Sequence, residues 1–262
     1  MTSGNVEILV GGEPRSAVKV ADYAPSLLLT QEHALCPGCG EPVALKILLD
    51  MIQQLGYENR AICAVGIGCY TMFSSGLDVD VVQALHGRAP SVATGIKRMR
   101  PESIVFTVQG DGDMVNEGLQ EIVHSAARGE KITAIMLNNG VFGETGGQMT
   151  AATALGQRTK NTIDGRDAEQ HGYPIRISDM IKDLEGVAYV ARGAVNNPRN
   201  ITATKRMIRR ALEAQANGEG FSMVEILTMC PTGWFVGAPD GPAYIDQTLG
   251  QVHVTGEIRV RN

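Results

Sequence analysis

Apolar residues recur at helical spacing through 41–55, "EPVALKILLDMIQQL", where Ala44, Ile47, Leu48, Met51, Ile52 and Leu55 share one face. Pro42 suits the first turn and Gly56 the stop, so the pattern predicts a helix between them. The next apolar run, "RAICAVGIG" at 60–68, lacks that period and reads as a buried strand ending in a glycine-rich turn. "SIVFTVQ" at 103–109 and "KITAIMLNN" at 131–139 also read as strands. Between them, "MVNEGLQEIVHSAARGE" carries Leu119, Ile122, Val123, Ala126 and Ala127 on one helical face. Strand, loop, helix, strand is a βαβ unit. Its right-handed crossover makes the strands parallel and brings their carboxyl ends to one sheet edge, where open α/β folds bind ligands.

Downstream, 202–216 predicts a helix whose Lys205, Arg206, Arg209 and Arg210 form a solvated face, and "FSMVEILTM" at 221–229 predicts another buried strand. A helix is expected over 89–99, while "NGEG" at 217–220 and "GAPDGP" at 237–242 read as turns. The expectation for residues 1–262 is one α/β domain: a mostly parallel central sheet with helices on both faces.

Composition narrows the function classes. With 44% hydrophobic and 19% charged residues the chain is globular rather than disordered. A net charge of −5 and no basic run argue against nucleic-acid binding. The stretch "MTSGNVEILVGGEPR" lacks a signal peptide's charged start and apolar core, and no apolar run approaches the roughly 20 residues of a membrane span. The expectation is a cytoplasmic protein that binds neither membrane nor nucleic acid.

The five cysteines do not resemble a secreted disulfide framework. Cys36 and Cys39 of "CPGCG" lie just before the first helix, and Cys69 and Cys230 each follow a strand end. A parallel sheet would let all four converge on one edge. The close pair by itself suits a zinc ion, a redox disulfide or an iron–sulfur cluster. Cys63 sits inside a strand and reads as a buried core thiol. Asp111 and Asn139 also leave strand ends, so a carboxylate and a carboxamide oxygen can meet around one hard cation such as magnesium. Gly110 and Gly112 let the turn approach a phosphate, and the helix that follows offers its positive end.

The stretch from Gly110 to Asn139, opening on "GDGD" and closing on "NN", resembles the thiamine diphosphate signature. "CPGCG", "GIGCY", "HGRAPSVATGIKR", "GDGD", "NNGVFGETGGQM" and "CPTGW" occur in the order seen in beta subunits of 2-oxoacid:ferredoxin oxidoreductases. They cover most of 33–234, and the chain looks most like the 2-oxoisovalerate (branched-chain) type.

The resemblance implies a pyrophosphate-type domain holding thiamine diphosphate, Mg2+ and a [4Fe–4S] cluster. It implies oxidative decarboxylation of a 2-oxoacid to acyl-CoA and CO2, with electrons passing through the cluster to ferredoxin. The cluster ligands by position are Cys36, Cys39, Cys69 and Cys230, and the magnesium ligands are Asp111, Asn139 and the Val141 carbonyl. Cofactor contacts are expected from Gly68, Cys69, His86, Gly110, Asp111, Gly112, Asp113, Asn139, Val141, Gly143, Thr145 and Gly146. His86, Arg88 and Glu144 are the candidates for a catalytic role. Glu144 departs from the common pattern, and its charge argues against a second carboxylate on the substrate, as in 2-oxoglutarate.

An enzyme of this kind binds the aminopyrimidine in a second domain. The resemblance therefore implies an alpha-type subunit to complete the site, with a ferredoxin-like delta subunit and in some assemblies a gamma subunit. The same four cysteines would also suit a structural zinc, which gives the alternative: a non-redox thiamine diphosphate decarboxylase or synthase subunit. A small metal-binding protein without activity is a third reading. It leaves the Asp111 and Asn139 spacing unexplained.

Overall fold

The computed structural model describes residues 8–10, 13–15, 27 and 33–261. In chain order its elements begin β1 (Ile8–Val10), β2 (Glu13–Arg15), α1 (Glu41–Gln54), β3 (Ala61–Val65), β4 (Asp80–Gln83), α2 (Ala89–Met99) and β5 (Ile104–Gly110). There follow α3 (Leu119–Ala127), β6 (Thr133–Asn138), β7 (Val141–Phe142), β8 (Gln148–Met149), α4 (Ala168–His171), α5 (Ile177–Ile181), β9 (Val187–Ala194) and α6 (Pro198–Ala216). The chain ends in β10 (Phe221–Leu227), α7 (Pro231–Trp234), α8 (Gly241–Gln247), α9 (Leu249–Val252) and β11 (Gly256–Val260).

Seven strands form one sheet in the order β11-β9-β10-β6-β5-β3-β4, and all pairings are parallel except that of β11 with β9. The central strands are apolar on both faces, which explains their unbroken hydrophobic runs. Along β5, Ile104, Phe106 and Val108 enter one core and Val105 the other; along β6, Ile135 and Leu137 face the first, Ala134 and Met136 the second. Helices α1 and α6 close the first face, while α2, α3 and α5 close the second. Helices thus cover both faces, as the periodicity predicts.

Three local expectations change. The segment after "GDGD" is not one helix: Gly112–Glu117 forms a wider, π-type turn that ends at Gly118 before α3 begins. Such turns recur at functional sites. Helix α6 starts at Pro198 rather than 202, because the Asn197 side chain accepts the Asn200 N–H and proline fits the first turn. "GAPDGP" is not only a turn, since Ala238–Asp240 is a 3-10 turn leading directly into α8. No helix among the described residues is long and apolar enough to cross a membrane.

Candidate active site

Parallel pairing aligns the carboxyl ends of β4, β3, β5, β6 and β10 along one sheet edge. Sequence then places His86 after β4, Cys69 after β3, Asp111 after β5, Asn139 after β6 and Cys230 after β10. Five strands that are apart in sequence therefore deliver the candidate chemistry to one rim.

Asp111 is 1% exposed, and its Oδ1 accepts the Asn139 N–H at 3.3 Å while its Oδ2 accepts the Thr150 hydroxyl at 2.5 Å. Burial pushes its carboxyl up to about 6, against the pull of those donors. Asn139 Oδ1 accepts the Val141 N–H at 3.0 Å, so both side chains are held before any ligand arrives. Carboxylate, carboxamide and carbonyl oxygens suit Mg2+, whose remaining shell phosphate oxygens can fill. Asp111, Asn139 and Val141 line one cleft together with Gly110, Gly112 and Asp113. The glycines are required by packing: a Cβ at Gly112 would lie 2.2 Å from the Phe142 ring, and one at Gly68 2.6 Å from Tyr70. The backbone cradle and the oxygen set fit a magnesium diphosphate.

Gly68, Cys69, His86, Gly143, Glu144 and Thr145 border the same cleft. Asp113 is less a free contact than a staple, accepting N–H groups from Ile67 at 3.3 Å and Gly87 at 3.0 Å and the Gln109 amide at 2.7 Å. Thr145 donates to Gln148 at 2.7 Å. Two candidates are not brought into the cleft lining. Arg88 turns to Glu121, with NH1 donating to its carboxylate at 2.6 Å. Gly146 lies on the loop beyond, its N–H bonded to the Gly143 carbonyl at 3.1 Å.

A second cavity is lined by Cys36, Cys39, Cys69 and Cys230 together. The "CPGCG" loop docks on the exit of β10 through the Gly40 N–H, which donates to Met229 O at 2.9 Å. A Cβ at Gly40 would lie 2.5 Å from the Met229 nitrogen, so glycine is needed for this approach. A Cβ at Gly143 would lie 3.4 Å from Cys69 Sγ and 3.5 Å from Cys230 Sγ, which places both sulfurs around one point. Burial pushes the Cys69 and Cys230 thiols up to about 12 and raises Cys39 as well. Thiolate ligands here would require a metal's positive charge. Among the described residues, no three cysteine sulfurs lie within 4.8 Å of one another. Cys63 is fully buried in the first core, away from this cavity.

Several groups escape the sequence motifs. Glu41, first residue of α1, is 3% exposed, lines both cavities, and its Oε2 has no hydrogen-bond partner. Burial and the nearby Asp111 and Glu144 charges push its carboxyl up to about 8. Tyr70, from "GIGCY", is buried in the cleft beside Gly110. Thr150 bonds Asp111, and Arg166 holds the Thr150 turn by donating to the carbonyls of Thr150, Ala151 and Thr153. Behind the "NN" lies fully buried Glu225, which accepts the Asn138 amide at 2.8 Å. Glu41 beside "CPGCG" and Tyr70 within "GIGCY" are the available signals; the others lie far away in sequence.

The profile described as "Thiamine pyrophosphate enzyme, C-terminal TPP binding domain" matches residues 66–226. A ketoisovalerate oxidoreductase subunit VorA from Methanothermobacter thermautotrophicus is 38% identical over 75% of this chain and 41% of its own length. The chain thus spans about two fifths of that relative. A 2-oxoglutarate synthase subunit KorB from Archaeoglobus fulgidus is 33% identical over 81% of this chain and 75% of its own length. The solved 2-oxoglutarate:ferredoxin oxidoreductase from Magnetococcus marinus, with 2-oxoglutarate, coenzyme A and succinyl-CoA bound, shares the fold at TM-score 0.76 and 24% identity. That match covers 93% of this chain and 87% of the other.

Proposed function

The chain belongs to the thiamine pyrophosphate enzymes, among the beta-type subunits of 2-oxoacid:ferredoxin oxidoreductases, and from that membership we propose that it decarboxylates a 2-oxoacid oxidatively to an acyl-CoA. The observation that carries the reading is a shared wall. Glu41, Cys69 and Gly143 border both the Asp111 cleft and the four-cysteine cavity, so a cofactor in one adjoins a cluster in the other.

Thiamine diphosphate, when bound, supplies the carbon centre that takes up a 2-oxoacid and releases CO2, and a [4Fe–4S] cluster accepts electrons singly. This chain's residues do the holding. Asp111, Asn139 and the Val141 carbonyl bind Mg2+, and the Gly110–Asp113 turn cradles the diphosphate. Cys36, Cys39, Cys69 and Cys230 hold the cluster.

The substrate is a monocarboxylic 2-oxoacid, with the branched-chain 2-oxoisovalerate first. Glu144 borders the cleft, and its carboxylate repels the second charge of 2-oxoglutarate. An alpha-type subunit completes the site over the aminopyrimidine, coenzyme A receives the acyl group, and a ferredoxin-like delta subunit or ferredoxin takes the electrons. A gamma subunit can join the same assembly. The chain works in the cytoplasm.

The test is anaerobic spectroscopy of the assembled complex with iron, zinc, sulfide and thiamine diphosphate analysis. A brown complex should bleach when 2-oxoisovalerate is added. Asp111→Ala should keep its iron, lose the cofactor and fail to bleach. A colourless complex with one zinc per chain would replace this reading with the non-redox one.

A further inference from the structure

One acidic residue outside the motifs stands where it can direct cleft chemistry. Asp113, Glu117 and Glu121 recur every fourth residue through the wide turn and into α3, so they form a stripe along one side. The stripe laces down the "HGRAPS" segment at successive points. Asp113 accepts the Gly87 N–H at 3.0 Å, Glu117 Oε2 lies 3.1 Å from His86 Nδ1, and Glu121 takes Arg88 at 2.6 Å and the Ser91 hydroxyl. Two glycines let the backbones meet there. A Cβ at Gly87 would lie 2.4 Å from the Glu117 carbonyl, and one at Gly118 2.6 Å from the Gly87 oxygen. The contact is therefore built into the chain's path.

The three acids are not equivalent. Asp113 is buried and already engaged by Ile67, Gly87 and Gln109, so its 3.4 Å contact with His86 Nδ1 adds to a filled acceptor. Glu121 serves Arg88 and Ser91, outside the cleft lining. Glu117 is 37% exposed, and among the described residues its side chain has no polar partner but His86. His86 itself borders the cleft next to the Gly110–Asp113 turn. Its Nδ1 faces two carboxylates and no donor, 3.1 Å from Glu117 and 3.4 Å from Asp113. Nε2 is left without a partner among the described residues.

We propose that Glu117 is a positioning residue: it holds the His86 ring so that, as an imidazolium with one N–H towards Glu117, it donates from Nε2 to a phosphate oxygen of the bound diphosphate. The proposal rests on the thiamine diphosphate reading. A half-exposed His–Glu pair adds little to folding stability. Its effect belongs in ligand affinity, because a ring held in one orientation loses less freedom on binding.

The experiment is a double-mutant cycle on the assembled complex, reading the dissociation constant of thiamine diphosphate with Mg2+ by calorimetry. Glu117→Ala should weaken binding by roughly tenfold, and Glu117→Gln, which keeps an oxygen acceptor for Nδ1, should stay within about threefold. In a His86→Phe background Glu117→Ala should add less than about twofold, because the ring it positions is gone. Where alanine at 117 lowers the melting temperature, Glu117→Leu keeps the side-chain volume and carries the same cycle. An unchanged affinity in Glu117→Ala, or an equal loss in both backgrounds, overturns the proposal. A wild-type complex that binds no thiamine diphosphate overturns the reading beneath it as well.

Discussion

The two cavities on this sheet edge share a wall yet are prepared differently. Asp111 and Asn139 are themselves held by the chain: Thr150 and Asn139 hold Asp111, Trp234 Nε1 and Gln157 Nε2 donate to the Asn139 carbonyl, and Thr153 donates to Gly140 O. Across the wall, the thiols stand in an apolar cavity, burial holds three of them protonated, and Cys36 is exposed. One region is assembled by the chain. The other has its backbone in place and, on the proposed reading, is completed by a metal. Damage to the first should therefore appear as lost folding stability, and damage to the second as lost metal with folding intact.

The largest expected effect breaks the first region from behind. Glu225 is fully buried, with Arg192 Nε at 2.8 Å, His253 Nδ1 at 3.3 Å, and the Ser178 hydroxyl and Asn138 amide donating to it. His253 also meets the Ala152 carbonyl at 2.8 Å, so the cluster supports both Asn138 and the turn carrying Thr150 and Thr153. Glu225→Ala leaves Arg192 only Asp179 and the Val254 carbonyl, strips the Ser178 hydroxyl and Asn138 amide of their acceptor, and should cost about 3–5 kcal/mol in denaturant unfolding. A loss below about 1 kcal/mol would show that the network is not what holds the "NN" loop.

A pH titration sharpens the same point at smaller scale. Burial alone would raise the Glu225 carboxyl, but His253, the Arg192 charge and Ser178 together hold it well below the usual carboxylate range. The folded chain therefore binds this proton less readily than the unfolded chain does. Its contribution is complete above the ordinary glutamate value of about 4.3 and is lost as pH falls below it, by at most about 1.4 kcal/mol per pH unit. Glu225→Gln should flatten the acid limb of stability against pH. An unchanged limb would assign acid sensitivity to other carboxylates.

Legibility in the sequence follows the same division. The bounds of α1 and α2, the buried strands and the "GDG" to "NN" spacing were readable because periodicity and strand-end placement are local properties. The four cysteines could be brought to one edge because each adjoins an element whose direction in a parallel sheet is fixed. Glu225, His253 and Arg192 were not readable: a charged residue inside an apolar strand has a partner only once sheet order is known. His253 has no paired metal-ligand spacing in the sequence, yet it is fully buried at the centre of that network. The wide turn at Gly112–Glu117 also escaped, because a π-type turn keeps a helical pattern while shifting the faces.

The smallest expected effect on folding tests the second region. Gly143 has no positive φ, and its missing Cβ would sit 3.4 and 3.5 Å from the sulfurs of Cys69 and Cys230, an ordinary contact with bare thiols. Gly143→Ala should leave the metal-free chain as stable as before or up to about 1 kcal/mol more stable, because alanine restricts the unfolded chain. The same methyl projects between the two proposed ligands, where a cluster would bond to both, so iron content after anaerobic reconstitution should fall. Cys63→Ser, in the core and outside the cavity, should retain its iron and lose stability instead. Full iron in Gly143→Ala would mean that the group joining Cys69 to Cys230 does not pass between them, and the comparison of a self-assembled site with a metal-completed one would lose its second half.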